Sequence, residues 1–293
     1  MPQPLLIDTH AHINFKDYRL DGDEVIRRAL DQGIWLINVG AQYSTSRRAV
    51  EYAQKYPQGV YAAVGLHPSH LCPHTKQKVI WQRGKSEEEF EEFETKKYQA
   101  FMEKPKVVAV GEVGLDYYEE ITTSEKEKQK EVLIKQLELA QQAGKPVIFH
   151  CRKAYNDLIE ILAMFNLGCA HCPMSCAPRL RGVIHSFMGR WSQAKKLLEM
   201  GFYFGFNGLI TYARDYDKVI KNLPLEMILL ETDSPYLTPV PHRYERNEPS
   251  YVRYVAEKIA HIKGISFEKV AEQTTKNAQI LFNLEGEQKE KDD

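Results

Sequence analysis

At 293 residues, with 43% apolar and 27% charged side chains, the chain can bury a sizeable core, which excludes a fibrous or disordered polymer. Its 39 basic residues face 40 acidic ones, a formal net charge of −1, so no global field draws it to nucleic acid and any such contact must be local. No apolar run approaches the roughly 20 residues of a membrane span, and the N-terminus lacks the basic and apolar regions of a signal peptide. Five cysteines, an odd number, fit a reducing cytoplasm better than a disulfide framework.

Strand-like and helix-like runs alternate along the whole chain. Leu5–Asp8 is the first apolar run, and Asp23–Gln32 reads as a helix stopped by Gly33. Ile34–Val39 is a second strand, Ser44–Lys55 a helix, and Val60–Val64 a third strand that ends in Gly65-Leu66-His67-Pro68. A polar stretch precedes a helix over Glu87–Met102, whose charged segment reads as a solvated face. Lys106–Val110 is the fourth strand, and a long helix follows from Ser124, a good N-cap, to Ala143. Pro146–Phe149, Gly182–Ile184, Phe202–Phe206 and Glu226–Leu230 complete eight strands. Helices over Tyr155–Phe165, Gln193–Met200 and Asp215–Asn222 separate them, and Glu248–Ile262 and Phe267–Phe282 close the chain. The charged tail over 285–293 reads as disordered.

Eight apolar runs, each followed by a helix, predict an α/β fold, a single (β/α)8 TIM barrel over residues 1–284. The runs are apolar throughout rather than alternating, as parallel strands covered on both faces require. A doubly wound sheet would place a glycine-rich phosphate turn after the first strand, where this chain has Asp8-Thr9-His10-Ala11-His12.

The polar residues that interrupt the runs share one register. His10 and His12 follow strand one, His67 strand three, Glu112 strand four, His150 strand five, His185 strand six and Asp233 strand eight. These are the C-terminal ends of strands, the face on which barrel enzymes build their sites. Any one of them alone could be a cap or a loop hydrogen bond. Together, the imidazoles and two carboxylates suffice for two divalent ions about 4 Å apart, the donor set of metal-assisted hydrolysis of phosphodiesters, amides or lactones. No Gly-x-Ser-x-Gly turn is present to support covalent acyl-enzyme chemistry.

These motifs, with Gly111-Glu112-Val113-Gly114-Leu115-Asp116-Tyr117, His150-Cys151-Arg152, His185-Ser186-Phe187, Glu231-Thr232-Asp233-Ser234-Pro235 and Arg246-Asn247-Glu248-Pro249, resemble the TatD family of metal-dependent deoxyribonucleases over roughly residues 5–284. The resemblance implies a TIM barrel with a two-metal site, magnesium first with zinc, manganese or nickel as alternatives, and a 3′–5′ exonuclease acting on DNA ends or short single strands. It implies that His10, His12 and Asp233 hold one ion, that His150 and His185 hold the other, and that Glu112 bridges them. Asp233 would take a proton from the attacking water, His67 and Arg152 would contact phosphate, and Arg246 and Asn247 would orient the segment over the substrate. Asp8 is open between a role behind the ligands and a structural hydrogen bond. No obligate protein partner is expected.

Cys169-x-x-Cys172-x-x-x-Cys176 departs from the family pattern, and stays open between a metal-binding fragment and an exposed insertion loop. The rival function is a metal-dependent amidohydrolase or ester hydrolase acting on a small cyclic amide, lactone or aminoacyl ester. Relatives of that kind often bridge their ions with a carboxylated lysine at the end of strand four, where this chain carries Glu112. A barrel that has lost catalysis would lack ligands, and none is missing.

Overall fold

A computed structural model describes residues 3–71, 90–118, 121–166 and 179–284. Strands β1 (Leu6–Ala11), β2 (Ile34–Val39), β3 (Val60–Val64), β4 (Val107–Asp116), β5 (Val147–Arg152), β6 (Gly182–Ile184), β7 (Tyr203–Phe206) and β8 (Ile228–Leu230) pair in chain order, all parallel. The sheet closes on itself past the ends of β8 and β1. The Asp233 N–H donates to the His10 carbonyl and the His12 N–H to the Ser234 carbonyl, each at 2.8 Å. The chain is a (β/α)8 TIM barrel.

Helices α1 (Gly22–Asp31), α2 (Tyr43–Lys55), α3 (Thr95–Met102), α4 (Thr123–Gln142), α5 (Tyr155–Asn166), α6 (Trp191–Glu199), α7 (Asp217–Asn222), α8 (Val252–Lys263) and α9 (Phe267–Phe282) accompany the strands. None of the described helices is long and apolar enough to cross a membrane.

Alternate strand residues fall into two apolar clusters, which is why the strands read as apolar throughout. Leu6, Ile34, Val60, Val147 and Ile228 pack with the helices, whereas Ile7, Trp35, Tyr61, Ile148 and Leu229 meet inside the barrel. The inner cluster gains Leu281, Phe282 and Leu284 from the end of α9, so the last helix plugs one end of the barrel. The polar residues of interest gather at the other end.

Three strands run beyond their expected ends, β5 reaching Arg152 instead of Phe149. β1 continues to Ala11 instead of stopping at Asp8, and β4 continues to Asp116 instead of Val110. Gly111 and Gly114 resemble turn signals in sequence, yet both lie within β4. The β4–β5 register shifts between Val110 and Val113, an irregularity that re-aims Glu112, before pairing resumes from Val113 with Phe149 to Asp116 with Arg152. Gly114 is required there, since a Cβ would lie 1.9 Å from the His150 carbonyl oxygen.

α4 starts at Thr123 with Thr122 as its cap rather than Ser124, because Thr122 and Glu125 form a reciprocal capping box. Of the helix expected over Glu87–Met102, Thr95–Met102 is helical and 90–94 is not. There Glu91 turns inward to accept from the Tyr43 N–H at 2.9 Å and the Tyr98 hydroxyl at 2.7 Å. The tail over 285–293 and the Cys169, Cys172, Cys176 segment lie outside the described residues.

Candidate metal centre

Glu112 is the hub of the open end. It is 5% exposed, and its carboxylate lies within 3.9 Å of five imidazoles. The two oxygens divide the histidines between them. Oε2 faces His10 Nε2 at 3.5 Å and His12 Nε2 at 3.8 Å. Oε1 faces His150 Nδ1 at 2.9 Å, His67 Nε2 at 3.6 Å and His185 Nε2 at 3.9 Å. The irregular β3–β4–β5 register and an N–H bond from Glu112 to the Gly40 carbonyl (2.8 Å) hold it there.

Four of the five imidazoles are set by a partner behind them. His12 donates its Nδ1–H to the Val39 carbonyl at 2.8 Å, which leaves the Nε2 lone pair facing inward, 3.1 Å from His10 Nε2. Fully buried His10 stacks on His185 with ring centroids 3.6 Å apart. Burial and the neighbouring His185 hold its pKa below the usual imidazole range. His185 Nδ1 lies 3.0 Å from Glu231 Oε1, and Nε2 3.8 Å from Asp233. Burial opposes charge on His185, but Glu231 and Asp233 outweigh it and push its pKa up to about 10.

Asp233 follows β8 in a left-handed conformation (φ 57°), pinned by its N–H bond to His10. Its carboxylate stands 3.5 Å from His12 and 3.8 Å from His10, and despite burial the imidazoles hold its pKa below the usual range. His150 is spanned by two carboxylates, Nδ1 to Glu112 and Nε2 to Asp116 at 3.1 Å. Burial disfavours its charge, yet those bonds push its pKa up to about 9. Metal ligation through His150 therefore requires one nitrogen to give up its carboxylate.

His67 differs in kind. Its Nδ1 accepts the Ser69 N–H at 3.1 Å, so the ring hydrogen sits on Nε2, and burial pulls its pKa down to about 3. It is a neutral donor aimed into the site.

The donor atoms form three candidate ion-binding groups: His10, His12 and Glu112; His10, His185 and Asp233; His67, Asp116 and His150. The family resemblance paired His150 with His185; both face Glu112 Oε1, and His185 also lies within reach of His10 and Asp233. The chemistry of the donor set fits divalent ions: neutral nitrogens oriented from behind, and buried carboxylates whose charge now rests on imidazolium protons.

Asp116 and Glu231 were not singled out from sequence. Asp116 is 3% exposed and joins His150 to Arg152, whose guanidinium makes bonds of 2.6–3.0 Å to it. Glu231 is fully buried and also accepts the Ser186 N–H at 2.7 Å. A Cβ on Gly205 would come within 2.3 Å of Glu231 Oε2, so β7 leaves the carboxylate room. Both lie within the motifs that carry the resemblance, each beside a strand end, but neither was given a role there.

Asp8 resolves as structural. Its oxygens accept the Thr232 N–H (2.9 Å), the Thr232 hydroxyl (2.5 Å) and the His10 N–H (3.2 Å), clamping β1 to the segment after β8. The β1–β2 register shifts between Asp8 and Ala11, so strand alternation does not carry Asp8 to the same centre as His10 and His12. Arg246 and Asn247 also lie away from Glu112. Arg246 forks onto Asp21 and donates to the Asp17 carbonyl at 2.7 Å, and Asn247 donates to the carbonyls of Thr232 (2.9 Å) and Tyr236 (2.5 Å). Arg243 stacks its guanidinium 3.7 Å from the Tyr212 ring centroid.

The chain is similar to known proteins along nearly its whole length. A family model described as TatD related DNase matches residues 7–283. The chain is 38% identical to the metal-dependent hydrolase YabD of Bacillus subtilis, over 96% of this chain and all of that one. It is 33% identical to TATDN3 of Mus musculus, which is named for a deoxyribonuclease activity, over 94% and 88% of the two chains. Among solved structures, the TatD homolog YjjV of Escherichia coli superposes with a TM-score of 0.77 at 28% identity, covering 96% and 99% of the two chains.

Proposed function

Because the chain belongs to the TatD-related DNase family and is a metal-dependent hydrolase, we propose that it removes nucleotides from the 3′ ends of short single-stranded DNA, using two divalent ions, magnesium first among them. The observation that carries this reading is the division of the Glu112 carboxylate, with Oε2 toward His10 and His12 and Oε1 toward His67, His150 and His185. A carboxylate that offers each oxygen to a different imidazole set is built to bridge two ions. His10, His12 and Asp233 would hold the first, and His150 and His185 the second.

Ions bound there supply Lewis-acid charge that acidifies water and offsets charge on the phosphoryl oxygens. The residues supply the rest. Asp233, kept ionised by its imidazole neighbours, accepts the proton of the attacking water. His67 donates its Nε2–H to a phosphoryl oxygen, as its neutral tautomer permits. The water oxygen bonds to phosphorus while the bond from phosphorus to the 3′ oxygen of the shortened strand breaks, releasing a 5′ nucleotide. Arg152 adds positive charge beside this point while anchored on Asp116. Arg246 and Asn247 act at one remove, tying the loop after β8 to the loop after β1.

The test is cleavage of end-labelled single-stranded DNA by purified protein with Mg²⁺, with and without a chelator. Stepwise shortening from the 3′ end that the chelator abolishes, and that Glu112→Ala loses by at least about 10²-fold, is the expected result. Equal cleavage by Glu112→Ala, or hydrolysis of a lactone with no action on DNA, overturns it.

A further inference from the structure

A groove of about 640 Å³ opens beside the metal centre, between the ends of β4 and β5 and the starts of α5 and α6. Its volume falls in the roughly 300–1,000 Å³ range of small-molecule sites. The mechanism above uses only one of its walls, Arg152.

Its lining is rich in cations. Lys126, Arg152, Lys153 and Arg190 all line it, in a chain whose net charge is −1. Among the described lining residues the one acid, Asp157, is already paired with Lys130 at 2.8 Å. The aromatic wall is Tyr118, 43% exposed, with the Arg152 guanidinium 4.2 Å and Lys153 Nζ 4.9 Å from its ring centroid. An exposed ring flanked by cations in a positive groove suits alternating flat bases and anionic phosphates. The groove is tied to the centre by a chain of side-chain contacts, Arg152 to Asp116, Asp116 to His150 and His150 to Glu112.

We infer that this groove is a binding subsite for single-stranded nucleic acid, holding the nucleotide next to the scissile phosphate with its base on Tyr118 and its phosphate between Lys153 and Arg190. The inference rests on the phosphodiesterase reading above and deepens it: the substrate is a polynucleotide strand, not a small diester. The base stacks on the Tyr118 ring in place of Lys153, which turns to meet the phosphate.

Steady-state hydrolysis of octathymidylate and of bis(p-nitrophenyl) phosphate by the magnesium-loaded enzyme tests it. Tyr118→Ala is expected to raise KM for octathymidylate about tenfold, the loss of one base stack, with kcat little changed, and Tyr118→Phe to restore the wild-type KM. Lys153 has φ 57°, so Lys153→Asn is chosen because asparagine tolerates that backbone. It should reduce the log–log slope of KM against salt by about 0.7, one phosphate contact on a single strand. A wild type that hydrolyses octathymidylate while both variants keep its KM and salt slope overturns the groove alone. A wild type with no chelator-sensitive hydrolysis of either substrate overturns the phosphodiesterase reading and the groove with it.

Discussion

At the scale of single residues, four of the five imidazoles around Glu112 are set by a group behind them. Val39 O fixes His12, Glu231 stands behind His185, Asp116 behind His150, and the Ser69 N–H fixes the tautomer of His67. Removing charge from such a partner weakens the ligand's basicity without moving it far. Glu231→Gln, which can still accept the Ser186 N–H, is expected to lower affinity for manganese about 10–100-fold in a calorimetric titration; unchanged affinity would show that Glu231 serves packing alone. Arg246 makes a different kind of contribution. Its guanidinium holds the Asp21 carboxyl below the usual range, so the pair stabilises the fold above the unfolded value of about 3.9, and that stability is lost as pH falls through the folded value. Both groups are about one-third exposed, so Asp21→Asn should cost only about 0.2–1 kcal/mol at neutral pH, with the difference from wild type shrinking in thermal melts as pH falls below about 3.9. A difference that persists in acid would contradict this.

The same residues show what the sequence could reveal. Glu112 and the histidines were legible because each interrupts an apolar run at a strand end, and few structural reasons place imidazoles there repeatedly. Glu231 and Asp116 occupy equivalent positions, but a carboxylate at a strand end reads equally well as a cap. Their partners become apparent only when β5 and β6 bring His150 and His185 alongside.

At the scale of elements, α4 does more than cover the barrel. Gln136 and Gln129, seven residues apart and so on one helix face, imitate strand pairing. Gln136 bonds both the N–H (2.8 Å) and the carbonyl (3.0 Å) of Leu66, just before His67. Gln129 bonds the N–H (2.8 Å) and carbonyl (3.1 Å) of Asp116. Gln136→Leu strands both Leu66 groups in a buried setting and should cost about 1–3 kcal/mol in urea unfolding, whereas a change under about 0.5 kcal/mol would mean that water replaces the glutamine. At the opposite end, Phe282→Ala opens the barrel floor and should cost about 3–5 kcal/mol while leaving manganese affinity at the mouth unchanged. Strand and helix order was readable from periodicity. The extension of β4 was not, because Gly111 and Gly114 carry turn chemistry while serving close strand approach. Helix-to-strand glutamine bridges have no periodic signature at all.

At the scale of the whole molecule, the barrel turns six separate strand ends into one dense site of imidazoles and carboxylates, with Glu112 at its middle. A chain of net charge −1 has little long-range pull on a polynucleotide, so capture falls to local cations at the mouth, and affinity for DNA should decline with salt. The central claim is that Glu112 joins two ions, and manganese titration followed by electron paramagnetic resonance tests it most directly. The account predicts two manganese ions per chain with an exchange-coupled spectrum, and loss of that coupling in Glu112→Ala. One ion per chain at saturation, or two uncoupled ions indifferent to Glu112→Ala, would contradict it.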